Sequence, residues 1–417
     1  MAESQKRIVI IGGSYGGLST AHYLLKHVVP QLPEKESYQV VLVSAADQVL
    51  CRPACPRALI SDDLLPQDKL FVSIPKLFDQ YPKGSFSFLN GTATELEHTS
   101  RTVSVRLAAG GGSSTEKIDY YALVIATGAS TPSPLLSLNR DIEFLRTKWA
   151  QFRKALPTVK SIIIAGGGPA GVETAGELGE YLNGRAGRFA SKLANPRVAI
   201  TVVTAGSDIL PALRPAIAKK AEHYLAQVGV TVIKQARVKA VTPEGAGTDD
   251  VSAKATVTLE DGKTLEADLY IPATGMTPNT GFIADKSLLV ADGRVDTNAS
   301  TLRVDKAGPR VYAIGDVAST ARPAVHLIFP AIPVLGANIK RDLLLAAGKE
   351  DKSVGKDRGF KEDTRETQMV PIGKGRGVGA AAGFQLPSFM VWLIKGRDYW
   401  LWTTGNLWSG KQWAKES

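Results

Sequence analysis

A chain of 417 residues has room for two or three domains with their own cores, which excludes a single small binding module. Apolar residues make up 44% and charged residues 22%, and no apolar run reaches the ~18 residues a membrane-spanning helix needs, so a globular protein is expected. The net charge of +10 favours anionic surfaces without naming one, and two cysteines with five scattered histidines suggest neither a disulfide framework nor a metal site.

The chain opens on a few polar residues and enters the apolar run 8–11, so neither a signal nor a transit peptide is expected, and with Ala at residue 2 myristoylation is not expected either. A cytoplasmic protein is expected. The run Ile8-Val-Ile-Ile-Gly-Gly-Ser-Tyr-Gly-Gly reads as a strand, a glycine turn and a helix start. Residues 38–44 form the second strand. Residues 102–107 and 117–125 read as strands flanking the loop Gly110-Gly-Gly-Ser-Ser, and the unit closes on Ala126-Thr127-Gly128.

The pattern then repeats. Ile162-Ile-Ile-Ala-Gly-Gly-Gly-Pro-Ala-Gly opens a second unit, 198–204 is its second strand, and Asp261-Gly262 between 255–259 and 264–269 reads as a hairpin turn. This unit closes on Ala273-Thr274-Gly275. Two spans of nearly equal length with the same punctuation predict an α/β chain of two doubly wound dinucleotide-binding domains, each a parallel sheet covered by helices.

The glycine turns carry chemistry because a pyrophosphate must approach backbone N–H groups at a helix N-terminus, where side chains would hold it away. Gly166, Gly168 and Gly171 complete the pattern, whereas in the first turn Ser14 replaces the middle glycine between Gly12 and Gly17. The first unit ends its second strand on Ser44, with Asp47 three residues on, where an acid would normally hold a ribose. The second ends on Thr204 with no acid, so NADH and NADPH are not distinguished. Val311-Tyr-Ala-Ile-Gly315-Asp316 adds a late strand ending in Gly-Asp.

Two dinucleotide turns followed by Gly-Asp resemble glutathione-reductase-like flavoproteins. Together with Gly-Val-Glu-Thr-Ala-Gly-Glu-Leu, and with the tail Gly377-Val-Gly-Ala-Ala-Ala-Gly-Phe and Phe389-Met-Val-Trp-Leu-Ile-Lys-Gly-Arg-Asp, the chain resembles the AIF-homologous AMID group. That group includes ferroptosis suppressor protein and is related to type II NADH dehydrogenases. The resemblance implies FAD at Gly12, Gly13, Ser14, Tyr15, Gly16, Gly17, Ser44, Arg52, Thr127, Gly128, Gly315 and Asp316. It implies NAD(P)H at Gly166, Gly168, Pro169, Ala170, Gly171 and Gly275, and reduction of a ubiquinone-like quinone. Glu173 would face the nicotinamide and flavin as the catalytic acid, or is an ordinary first-turn acid favoured by the helix dipole; Glu177 reads as structural. The implied division is 1–145 and 286–350 for the FAD domain, 146–285 for the NAD(P)H domain, and 351–417 as a short α+β C-terminal region. The charged run 355–365 reads as a solvated loop.

Two further signals compete. Cys51-Arg-Pro-Ala-Cys55 stands where relatives of glutathione reductase carry a redox disulfide or a single reactive cysteine, but with three intervening residues rather than the disulfide's four and with Pro53 and Pro56 against a helix. A thiol-dependent disulfide or peroxide reductase is therefore one alternative and packed thiols the other. Arg52 and Arg57 face the flavin or are surface charges. Five of six tryptophans, Trp392, Trp400, Trp402, Trp408 and Trp413, crowd the tail among Lys395, Arg397 and Lys411. They suit a membrane interface, such as the mitochondrial outer surface or a lipid droplet, or else pack onto the FAD domain or a second copy in a homodimer. A third reading, an AIF-like nucleotide-binding signalling protein, rests on the basic charge; nucleic acid is not an expected partner.

Overall fold

The computed structural model describes residues 5–108, 114–187 and 189–416; residues 110–113 of the glycine-rich loop lie outside them. The β-branched stretches Lys6–Ile11, Tyr38–Ser44 and Ala122–Ile125 pair in parallel, with Val311–Ala313 added beside the last and Phe86–Glu97 beside the second. Thr102–Leu107 and Thr115–Asp119 extend this sheet antiparallel. Alternation sends successive side chains to opposite cores. Ile8 and Ile10 pack with the helices Tyr15–Tyr23 and Val325–Ala346, while Val9 and Ile11 pack with Val103, Val105 and Val311. The expected single strand 117–125 is two, because the chain turns at Tyr120 and Tyr121 from the antiparallel edge back to the sheet centre.

The second unit repeats the plan. Val230–Ile233, Ala199–Val203, Ser161–Ala165 and Leu269–Pro272 form a parallel sheet, and the Asp261-Gly262 hairpin joins Ala255–Leu259 to Thr264–Ala267. Ala129–Ser130 and Thr277–Pro278 pair antiparallel where the chain crosses between units. The border expected at 145/146 falls inside the helix Ile142–Ala155, and Phe282 and Ile283 already pack in the first unit's core. The return therefore begins before residue 286.

The C-terminal region binds the two units together. The hairpin Gln368–Ile372 with Arg376–Ala381 lies on the helix Pro169–Asn183 so closely that a Cβ on Gly176 would sit 2.8 Å from the Ile372 Cα. Leu401–Trp408 then returns to the first unit, where Trp408 packs on Tyr15 with ring centroids 4.8 Å apart and its carbonyl meets His22 Nε2 at 2.8 Å. The run 355–365 is a largely exposed loop, as expected, and it is pinned at three points. Asp357 pairs with Arg303, Glu362 with Arg322, and buried Phe360 donates its N–H to the Ser300 carbonyl.

Candidate active site

The two glycine turns open onto one cleft of about 1710 Å³. They are built alike. Gly12 (φ +121°) and Gly166 (φ +128°) each lie so near the closing Ala-Thr-Gly strand that a Cβ would stand 2.1 Å from the Ala126 carbonyl oxygen or 2.3 Å from that of Ala273. A Cβ on Gly17 would stand 1.7 Å from the Gly12 oxygen, and one on Gly171 2.0 Å from the Gly166 oxygen. These four glycines let strand, turn and helix touch. Gly17, Gly166 and Gly171 thus act beneath the cleft wall, whereas Gly12, Gly13, Ser14, Tyr15, Gly16, Gly168, Pro169 and Ala170 line it. Nothing lies within 4 Å of a Cβ on Gly168, which explains why its counterpart can be Ser14: the middle position faces the open cleft.

The other expected contacts also reach the cleft. Ser44 lines it, but its hydroxyl donates to the Ala46 carbonyl at 2.7 Å. Asp47 also lines the cleft and is exposed. Thr127 and Gly128 are held by Asn279, whose side-chain amide donates to the Thr127 carbonyl at 2.9 Å and whose N–H donates to that of Gly128 at 3.0 Å. Gly275 lines the cleft beside Met276 at the crossing strand. Gly315 takes φ +83°, which turns Asp316 to the cleft, and Arg52 Nη1 pairs with Asp316 Oδ2 at 3.2 Å. Arg52 is therefore a cleft residue and not a surface charge. Backbone cradles free of side chains, with the Asp47 and Asp316 carboxylates in the same cleft lining, fit a dinucleotide.

At the junction of the units Glu173 and Lys395 line the same cleft, 3% and 6% exposed, with Nζ 2.5 Å from Oε1. Lys395 also donates to the Met369 carbonyl at 3.1 Å. Burial pushes the Glu173 carboxyl up to about 7, against the opposing pull of Lys395. Sequence reasoning counted Lys395 among the basic residues of a tail that either meets lipid or packs on the protein, and missed this partnership. A lysine inside the apolar run Val391-Trp-Leu-Ile-Lys-Gly was the available signal, since a charge there needs either solvent or a partner. Trp400, from the same segment, also lines the cleft.

One turn along the helix, Glu177 accepts from Arg57 Nε at 2.9 Å and Nη2 at 2.8 Å, and from the Tyr399 hydroxyl at 3.0 Å. Arg57 is thereby buried, contrary to the surface alternative. Cys51 and Cys55 are free and fully buried, and burial pushes their thiols up to about 11 and about 12. Neither offers the accessible thiolate that disulfide or peroxide chemistry requires. Pro53 and Pro56 do not break a long helix; they sit in the first turns of two short ones, Arg52–Ala54 and Cys55–Ala58.

The tail tryptophans divide. Trp408 and Trp413 are buried in the first unit's core, as the packing alternative had it. Trp392 and Trp402 are exposed with Phe389 and Leu393, and Trp402 Nε1 donates to the Ile394 carbonyl at 3.0 Å, which joins them into one patch. Among the described residues no helix is long and apolar enough to cross a membrane.

Residues 6–331 match the family described as pyridine nucleotide-disulphide oxidoreductase. The chain is 67% identical over 417 residues to oxidoreductase phnG of Penicillium herquei, covering 100% of this chain and 99% of the relative. It is 25% identical to ferroptosis suppressor protein 1 of Taeniopygia guttata, covering 94% of this chain and 93% of that one. Among solved structures, the sulfide:quinone oxidoreductase of Aquifex aeolicus shares the fold with a TM-score of 0.67 at 16% identity, covering 97% of this chain and 92% of that chain.

Proposed function

From the premise that the chain belongs to the pyridine nucleotide-disulphide oxidoreductase family, and so is an oxidoreductase binding FAD and NAD(P)H, we propose that its electrons pass to a quinone-like acceptor at a membrane surface. In the balanced reaction, NAD(P)H and one proton with a quinone yield NAD(P)⁺ and the quinol. FAD, when bound, supplies the two-electron exchange between donor and acceptor. The protein positions both partners and manages the remaining proton.

The observation that carries the reading is the buried Glu173–Lys395 pair in the wall of the shared cleft. A carboxyl held to about 7 is partly protonated at neutral pH, which suits a group that gives and regains a proton each turnover. The Lys395 ammonium at 2.5 Å stabilises the carboxylate after the proton leaves. With both thiols buried and protonated, the protein lacks an electron carrier of its own for a disulfide acceptor.

The membrane part of the reading is supported by the Phe389, Trp392, Leu393 and Trp402 patch, which belongs to the same segment as Lys395 and Trp400. An acceptor dissolved in lipid would meet the protein on that side. The test is anaerobic titration of the purified protein with NADH, NADPH and then a short-chain ubiquinone analogue, followed by flavin absorbance. The expected result is bleaching by a nucleotide and recovery with quinone; a reduced flavin that ignores quinone would overturn the acceptor.

A further inference from the structure

The Arg57–Glu177 ion pair lies next to the cleft pair and joins three parts of the chain that are distant in sequence. Arg57 comes from the turn Cys55–Ala58 of the first unit, Glu177 from the helix Pro169–Asn183 of the second, and Tyr399 from the C-terminal segment. Arg57 spends its whole fork: Nε and Nη2 grip both Glu177 oxygens, and Nη1 donates to the Arg397 carbonyl at 3.1 Å. Its guanidinium also lies 4.8 Å from the Tyr399 ring centroid. Residues 395, 397 and 399 thus converge on Glu173, Glu177 and Arg57. Lys395 meets Glu173, the Arg397 carbonyl meets Arg57, and Tyr399 meets Glu177.

We propose that Arg57 is a positioning residue for the Glu173–Lys395 pair, holding the C-terminal segment in register through Glu177 and the Arg397 carbonyl and balancing the charge of Glu177. The proposal rests on Glu173 as the proton-carrying group in the reading above, but its test does not use the acceptor. Two acids and two bases share this buried site. Without Arg57, Glu177 becomes an unbalanced buried carboxylate one turn from Glu173, and Lys395 loses the contact that fixes its neighbour. Both effects make Glu173 hold its proton more tightly. Loosening of the structure would act in the opposite sense, because water reaching Glu173 relieves the burial that raises it.

The groups facing Glu173 are Lys395, Glu177 and Arg57, with Tyr399 behind Glu177 and the Met369 carbonyl on Lys395. The reporter is the protonated-carboxyl infrared band that vanishes in Glu173→Gln, titrated in the flavin-loaded protein. In Arg57→Gln the midpoint should rise by about one unit or more. In Glu177→Gln, where Arg57 is left as an unbalanced cation, it should fall. Arg57→Lys keeps the charge but not the fork and should lie between wild type and Arg57→Gln; it carries the test if the glutamine variant does not fold. An Arg57→Gln or Arg57→Lys midpoint that is unchanged or lower would overturn the proposal and leave Arg57 a purely structural tie. Failure of quinone turnover in the wild type, with these shifts present, would remove the acceptor and not the positioning role.

Discussion

Lys395 Nζ lies 2.5 Å from Glu173 Oε1, so a side chain from the last 25 residues completes a site whose other parts come from the two nucleotide-binding units. The pair is buried on both sides, and removing one partner leaves the other without compensation. In Lys395→Met, quinone turnover should fall by roughly tenfold or more, while flavin content stays within twofold of wild type; steady-state kinetics and flavin absorbance measure both.

Glu173 also imposes a pH dependence on stability. Its carboxyl is raised from 4.5 to about 7 in the folded protein, so the folded state binds the proton more tightly than the unfolded one. That contribution is fully present below about pH 4.5 and is lost as pH rises through about 7. Glu173→Gln should therefore flatten the fall in melting temperature between these limits. Parallel melting curves for the two proteins across that window would show that the carboxyl is not raised.

The thiols should be dispensable. With Cys51 and Cys55 buried and their pKa values raised by burial, the native protein should resist a thiol reagent that labels both sites after unfolding. Cys51→Ala with Cys55→Ala should retain at least about half of the NAD(P)H-dependent activity and lose on the order of 1 to 3 kcal/mol through the cavities left. Loss of activity in a folded double variant would return the cysteines to the mechanism.

The glycine turn predicts opposite outcomes at neighbouring positions. Gly12→Ala places a Cβ at φ +121° and against the Ala126 carbonyl, so flavin content and melting temperature should both drop. Ser14→Gly faces the open cleft as Gly168 does and should bind flavin within about twofold of wild type, as read by absorbance per protein.

Trp402 is 55% exposed and Phe389 66%, so polar replacements there should cost little stability, about 0.5 kcal/mol or less. Trp392→Ser with Trp402→Ser should nonetheless reduce co-sedimentation with anionic vesicles several-fold. Equal sedimentation of variant and wild type would shift the patch from lipid to another partner.

The features readable along the chain follow from local rules. Strand periodicity, the turn Gly12–Gly17 against Ala126 and its copy Gly166–Gly171 against Ala273, and the Asp261-Gly262 hairpin are all legible because residue type sets backbone conformation over short spans. Glu173 was legible as a candidate for the same reason, as an acid fixed two residues past a glycine turn. Its chemistry depends on contacts from far along the chain. The partner Lys395 lies 222 residues away, and its burial depends on a tail folding across both units. The same holds for Arg57, Cys51 and the tryptophans: Trp408 and Trp402 are six residues apart in similar company, yet one is core and the other surface. Proton affinity, thiol reactivity and exposure are set by what surrounds a side chain in space, and long-range packing supplies those surroundings.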